Sequence, residues 1–310
     1  MTTQKEREPT NYIAPLYMNG LQGRMLRLPA PEGKKREILF VYGHHSTLER
    51  WWGIAQDLNQ YGTLTMPDLP GFGGMESFYK INEKPTIDNF ADYLAAFVKL
   101  RYARKRLTIA GMSFGFVVAT RMLQRYPDLA KKVDLLVSVA GFSHHDDFKF
   151  SRRQMMLYRT LSSSLQPHAA AVAFRNICLH PLVIRTLYSK TPNAKHKFAD
   201  LDAVTHKRMA DFEVKLWHDN DVRTHWFTSH AMLSLDNCRK QVALPVWHIN
   251  VQADQYFDKH NVEQHMRVIF SDFHQVTSKL TAHAPSVIAD AQTAAPLIPS
   301  KIRRMLAKAP

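Results

Sequence analysis

The sequence predicts an α/β fold: a mostly parallel central sheet with helices on both faces, interrupted by an inserted α-helical segment. Three observations carry that expectation. Apolar, β-branched runs at 37–42, 107–110 and 133–140 are continuous rather than alternating, as in strands covered on both faces. Stretches with helical spacing separate them, the alternation that a parallel sheet with crossover helices produces. From about 144 to 240 this alternation stops, and helical stretches recur with no convincing strand until 244–251 and 276–280.

In chain order, residues 1–14 read as a loosely held lead-in. Segment 16–28 reads as two short strands around Asn19-Gly20, a dipeptide suited to a tight hairpin turn. The run at 37–42 is a buried strand that ends in Gly43-His44-His45-Ser46. Trp51, Trp52, Ile54, Ala55 and Leu58 follow at helical spacing. Leu64 and Met66 lead into Asp68-Leu-Pro-Gly-Phe-Gly-Gly74, a rigid loop. Residues 87–100 make an amphipathic helix with Phe90, Tyr93, Leu94, Phe97 and Val98 on its apolar face. The run at 107–110 passes through Gly111-Met112-Ser113-Phe114-Gly115 and continues as a helix with Val117, Val118, Met122 and Leu123. A strand near 276–280 precedes a last helix expected over 285–307. The division this implies is a core in two parts, 1–143 and 241–310, with a helical cap over 144–240.

Composition excludes several classes. Hydrophobic content of 45% and charged content of 22% suit a soluble globular protein, and no run of about 18 apolar residues could span a membrane. The first eight residues are polar, so no secretory signal is read. Cys178 and Cys238 form neither a disulfide scaffold nor paired zinc spacings, which makes a reducing cytoplasm the simplest compartment. Lys+Arg 41 against Asp+Glu 27 gives a net charge of +14. That balance can serve nucleic acid, anionic membrane or acidic substrate. The basic residues are spread, however, over Lys34-Lys35-Arg36, 99–106, Arg152-Arg153 and 301–304, and join no nucleic-acid-binding pattern. A solvated basic surface is expected, with no specific nucleic-acid partner.

A serine between two glycines at a strand-to-helix junction is the nucleophile-elbow pattern. Gly111 and Gly115 are needed because a Cβ at either position would meet neighbouring backbone. Ser113 then stands on a strained turn at a helix N-terminus, where the dipole favours negative charge. A serine hydroxyl attacks only when a base takes its proton, so its partners must come from elsewhere in the chain.

With these motifs in order, the sequence resembles the α/β-hydrolase family with an inserted lid, over nearly its whole length. Tyr42-Gly43-His44 stands where the family usually has a His-Gly dipeptide. Asp68-Leu-Pro-Gly-Phe-Gly-Gly74 is similar to its Asp-x-Pro-Gly-x-Gly loop, and Gly111-Met-Ser-Phe-Gly115 to its elbow. Asp254 follows the penultimate strand and His283 the last. The resemblance implies a triad in which Ser113 attacks, His283 is the base and Asp254 fixes the imidazole tautomer. Asp254 matches better than Asp258, four residues on, because it stands closer to the strand end. Asp146 and Asp147, after the strand at 133–140, hold a position from which some members recruit their acid. The resemblance also assigns the oxyanion to the backbone N–H groups of His44 and Phe114.

Tyr42, His45 and Met112 are candidate pocket residues. The chain departs from the family at Tyr42, in place of histidine, which bears on the loop's hydrogen bonding. It departs again at Phe116, in place of a frequent glycine, which adds bulk beneath the elbow. A serine nucleophile excludes the dehalogenase and epoxide-hydrolase branches, which need a carboxylate there. His44 and His45 offer two metal ligands without a third at readable spacing, and Gly71, Gly73 and Gly74 make no phosphate loop. Neither metal nor cofactor is expected. Aromatic and methionine residues of the insertion, among them Met155, Tyr158, Trp217, Trp226 and Met232, suit an apolar acyl or aryl pocket. The expected activity is hydrolysis of small to medium hydrophobic esters or lactones through an acyl-enzyme. Carbon–carbon hydrolysis, acyl transfer and slow-turnover ligand binding are the alternatives on the same framework.

Overall fold

The computed structural model describes residues 8–188, 203–280, 282–286 and 289–308. Its centre is an eight-stranded sheet. The strands are β1 (Ile13–Met18), β2 (Leu21–Leu28), β3 (Arg36–Val41), β4 (Gly62–Pro67), β5 (Leu107–Met112), β6 (Val133–Val139), β7 (Val246–Val251) and β8 (Phe273–Ser278). Their order across the sheet is β1-β2-β4-β3-β5-β6-β7-β8. The pairs β1–β2 and β2–β4 are antiparallel, and every pair from β3–β4 to β7–β8 is parallel. Asn19 and Gly20 both take positive φ, 54° and 79°, as the two-residue turn between β1 and β2 requires.

Burial explains why the central strands were legible. Every residue of β4 and β5 is buried, because helices cover both faces of the sheet. Helix α1 (Trp52–Asn59), α2 (Ile87–Arg101), α3 (Phe114–Arg125) and the short α4 (Pro127–Ala130) alternate with the strands. Between β6 and β7 lie α5 (Arg152–Ser164), α6 (His168–Cys178), α7 (Pro181–Tyr188), α8 (Ala203–Asp219) and α9 (Val222–Met232). Of the expected insertion, residues 189–202 lie outside the described residues. Ser151 and Gln154 start α5 with a reciprocal capping box, and Asp221 caps α9 by accepting from Thr224 N–H at 2.7 Å.

The C-terminal third departs from expectation in three places. Strand β8 begins at Phe273 rather than near 276, since only its two end residues are buried and it carries a weak apolar signal. Helix α10 (Lys259–Ile269) precedes it, burying only Val262, Met266 and Ile269. The single helix expected over 285–307 is instead α11 (Ala291–Ala294), a 3-10 turn (Ala295–Leu297) and α12 (Ser300–Ala307). Pro296 and Pro299 interrupt it, each lacking the N–H a continuous helix needs. Residues 287 and 288 lie outside the described residues.

Two basic residues expected at the surface are structural. Arg36 is 5% exposed and donates to Asp134 Oδ2 at 2.5 Å, to Thr108 Oγ1 at 2.7 Å and to the Leu306 carbonyl at 3.0 Å. It thereby ties β3, β5, β6 and the C-terminal helix together. Arg303 makes two bonds of 2.9 and 2.7 Å to the carboxylate of Asp57, joining α12 to α1. Removing one partner of a buried ion pair leaves the other charge uncompensated. Arg36→Ala is therefore expected to lower stability by about 3–5 kcal/mol in urea unfolding, with most of it recovered in Arg36→Met/Asp134→Leu. A loss below about 1 kcal/mol for the single variant would contradict this role.

Candidate active site

The loops at the C-terminal ends of β3, β5, β6, β7 and β8 meet above the sheet. At the end of β5, Ser113 has φ 50° and ψ −117°, a strained conformation for an L-residue. A Cβ on Gly115 would lie 2.1 Å from the Val41 carbonyl oxygen, and one on Gly111 would lie 2.6 Å from Phe116 Cα. Both glycines are thus required by close approach. Phe116 is accommodated by this and by Gly141, whose Cβ would strike the same ring at 2.7 Å. The ring packs toward Phe270 at 6.0 Å between centroids. The loop after β3 passes beside the elbow: a Cβ on Gly43 would be 3.4 Å from Ser113 Cβ. His44, next to Gly43 in this loop, lines the same cavity as Ser113, and Phe114 follows Ser113 in the chain.

Across the site, His283 Nδ1 lies 2.7 Å from Asp254 Oδ2. Asp254 Oδ1 accepts from the N–H groups of Tyr256 at 2.8 Å and Phe257 at 3.3 Å. Burial works against a charge on Asp254, but the hydrogen bond and charge of His283, with those two N–H groups, hold it below the usual carboxylate range. The Tyr256 and Phe257 rings pack edge-on against the imidazole, at 5.1 and 5.5 Å. Their adjacency to Asp254 in sequence was the available signal for both.

The other carboxylates have different partners. Asp258 caps α10 through the N–H groups of His260 and Asn261. Asp147 is fully buried; it contacts His265 Nδ1 at 2.5 Å and accepts from Ser143 N–H and His144 N–H. Asp146 is 66% exposed, and with His144 and His145 it forms a group able to hold a metal ion.

Ser113 and His283 line one cavity of about 620 Å³, together with Gly43, His44, His45 and Met112. Its far wall comes from the helices between β6 and β7, through Tyr158, Leu161, Leu216, Trp226 and Met232. Tyr42, expected in the pocket, is instead fully buried beneath it. Its hydroxyl donates to Asp68 Oδ1 at 2.8 Å and accepts from Leu69 N–H at 2.9 Å. This is where the departure at Tyr42 leads: the strand end is pinned to the 68–74 loop.

His44 Nε2 meets Thr228 Oγ1 at 2.8 Å, and Thr228 donates onward to the Thr224 carbonyl at 2.6 Å. The His225 ring lies 4.7 Å from both His44 and His45, and Trp217 covers His45 at 4.0 Å. The seam between the β3 loop and the inserted helices is therefore built of imidazoles. Burial lowers His44 to about 4. Burial, with repulsion from the neighbouring rings, also lowers His45 and His225 well below the ordinary histidine value. His225 and Thr228 gave no sequence signal, since their partners are some 180 residues away.

A family profile described as alpha/beta hydrolase fold matches residues 38–264. The chain belongs to the alpha/beta hydrolase family. Solved members of this fold superpose over almost the whole chain. An enol-lactonase from Burkholderia xenovorans LB400 gives a TM-score of 0.65 at 11% identity, covering 95% of this chain and 100% of the other. A thermophilic esterase from Thermogutta terrifontis gives 0.61 at 14% identity, covering 96% and 98%. The epoxide hydrolase CorEH gives 0.61 at 13% identity, covering 90% and 93%. At such identities the likeness is one of fold.

The histidine seam is expected to make this alpha/beta hydrolase acid-sensitive. Between the ordinary histidine value and about 4, the unfolded chain takes up protons that the folded seam refuses, so stability falls as pH falls through that window. His225→Asn, which cannot take the proton, is expected to reduce the loss of stability between pH 7.5 and 5 by about 1–2 kcal/mol. Thermal unfolding of both proteins at the two pH values tests it. Identical losses would show that the seam does not carry the effect.

Proposed function

We propose that this chain is a serine hydrolase acting on small to medium hydrophobic carboxylic esters or lactones. The observation that carries this reading is the His283–Asp254 contact of 2.7 Å opening on the same cavity as the strained Ser113. In the proposed reaction Ser113 Oγ attacks the acyl carbon while His283 Nε2 takes its proton. Asp254 keeps the other imidazole proton on Nδ1 and stabilises the imidazolium. The N–H groups of His44 and Phe114 receive the developing oxyanion. Collapse breaks the ester C–O bond, and His283 returns its proton to the leaving alcohol, which in a lactone stays attached to the acyl group. Water, deprotonated by the same imidazole, then releases the acid and frees Ser113.

The helical segment over 144–240 acts in this reading as a cap. Its Tyr158, Trp226 and Met232 give the cavity the apolar, adaptable wall an acyl or aryl group needs. Esterases and an enol-lactonase among the structural neighbours favour acyl chemistry. Although an epoxide hydrolase shares the fold, the serine at the elbow argues against that reaction here. Cys178 and Cys238 are both free, which suits a reducing cytoplasm. No helix among the described residues is long and apolar enough to cross a membrane.

Hydrolysis of p-nitrophenyl esters of rising acyl length tests the reading. Turnover with a clear length optimum is expected, abolished in Ser113→Ala and lowered on the order of 10⁴-fold in Asp254→Asn. Activity retained in Ser113→Ala would overturn the assignment. A loss in Asp147→Asn or Asp258→Asn equal to that expected of Asp254→Asn would move the acid. Silence toward every ester and lactone, with turnover of β-diketones or acyl acceptors, would favour carbon–carbon hydrolysis or acyl transfer on the same residues.

A further inference from the structure

The turn after β6 carries a cluster that ester hydrolysis does not use. His144, His145 and Asp146 each offer one ligand atom, and these atoms lie within 4.8 Å of one another. We propose that they form a binding site for a first-row transition-metal dication, with zinc the best match. The spacing argues for it. Donors bound tetrahedrally at about 2.0–2.1 Å stand about 3.3–3.4 Å apart. His145 Nε2 lies 3.4 Å from Asp146 Oδ1 and His144 Nδ1 lies 3.6 Å from the other oxygen, Oδ2, so both imidazoles face one carboxylate at close to that separation.

Orientation is a second, independent observation. His145 Nδ1 meets the Leu235 carbonyl at 3.0 Å. A carbonyl only accepts, so Nδ1 carries a proton, and Nε2 is the nitrogen that faces Asp146. Metal-bound imidazoles are held by the same outer-shell bond. The His144 ring lies between those of His145 and His265, tilted against each, at 4.1 and 4.3 Å. His144 Nδ1 also accepts the Asp146 N–H at 3.2 Å, so coordination through that nitrogen replaces one backbone bond.

The donor set selects the ion. Two imidazoles and one carboxylate suit zinc or its neighbours, whereas calcium and magnesium prefer all-oxygen shells. A groove lined by His145, Asp146, Arg159 and His265 opens beside the cluster. The location gives the ion a structural consequence. His144 forms an isolated β-bridge with Asp236, where the chain leaves and rejoins the sheet domain around the inserted helices. An ion held there braces the root of that insertion.

The test uses tag-free full-length protein, stripped with chelator and dialysed, then titrated with zinc chloride in a calorimeter. One equivalent is expected to bind with micromolar or tighter affinity and to raise Tm. Asp146→Asn and His145→Ala should each weaken binding at least tenfold. Asp146 is exposed, so its variant should keep the fold, which circular dichroism checks. Absence of saturable binding in the wild type would overturn the proposal. So would unchanged affinity in both variants, which would place the zinc on other histidines. None of these readings depends on ester turnover.

Discussion

The backbone strain at Ser113 is the constraint on which the site depends. Its φ of 50° and ψ of −117° cost on the order of 1–3 kcal/mol, a cost that only an over-determined setting can hold. Three segments supply that setting. Ser113 N–H donates to the Val139 carbonyl of β6 at 2.9 Å. The end of β3 presses so close that a Cβ on Gly115 would lie 2.4 Å from the Tyr42 carbonyl oxygen. Phe116, in the first turn of α3, fills the space that Gly111 and Gly141 leave open. Strand order follows the same logic, because β3, β5 and β6 must be adjacent for these contacts to exist.

A buried polar knot supports the loop that faces the elbow. Asp68 accepts from the Tyr42 hydroxyl and from Arg24 Nε at 3.0 Å, while Arg24 also pairs with Glu49 at 2.7 Å and donates to the Gly73 carbonyl. The Tyr93 hydroxyl holds the Asp68 carbonyl at 2.9 Å. The same 68–74 loop reaches the inserted helices: Gly73 N–H donates to Asn220 Oδ1, and Asp221 N–H to the Gly71 carbonyl, both at 2.8 Å. One loop therefore fixes the strand end that leads to His44 and the start of the helix bearing His225 and Thr228. The knot sets one guanidinium, Arg24, against two carboxylates, and burial pushes Asp68 well above the usual carboxylate range.

What the sequence disclosed follows from which signals are local. Doubly covered strands announce themselves as apolar runs, and Asn19-Gly20 and the 111–115 elbow carry their conformation in their residue types. Strand β8 hid because only Phe273 and Ser278 of it are buried, and α10 because only three of its apolar residues are buried. The broken C-terminal helix was readable at Pro296 and Pro299, whose breaking effect outweighed the apolar spacing around them. Asp254 could be preferred over Asp258 by its distance from the strand end. The buried place of Asp147 could not be seen, since it rests on His265, 118 residues away. Arg36 and Tyr42 illustrate the same limit. A basic residue in a basic run reads as surface, and a tyrosine beside the Gly43-His44 loop reads as pocket, until long-range partners bury them.

The central claim is that Ser113 is a hydroxyl activated by His283 and Asp254. Labelling by a fluorophosphonate, which captures activated serines covalently, tests it without knowledge of the substrate. Intact mass and peptide mapping should find one adduct, on Ser113, forming orders of magnitude more slowly in His283→Ala and Asp254→Asn. No adduct on the wild-type chain, or one formed at the same rate in both variants, would contradict the account.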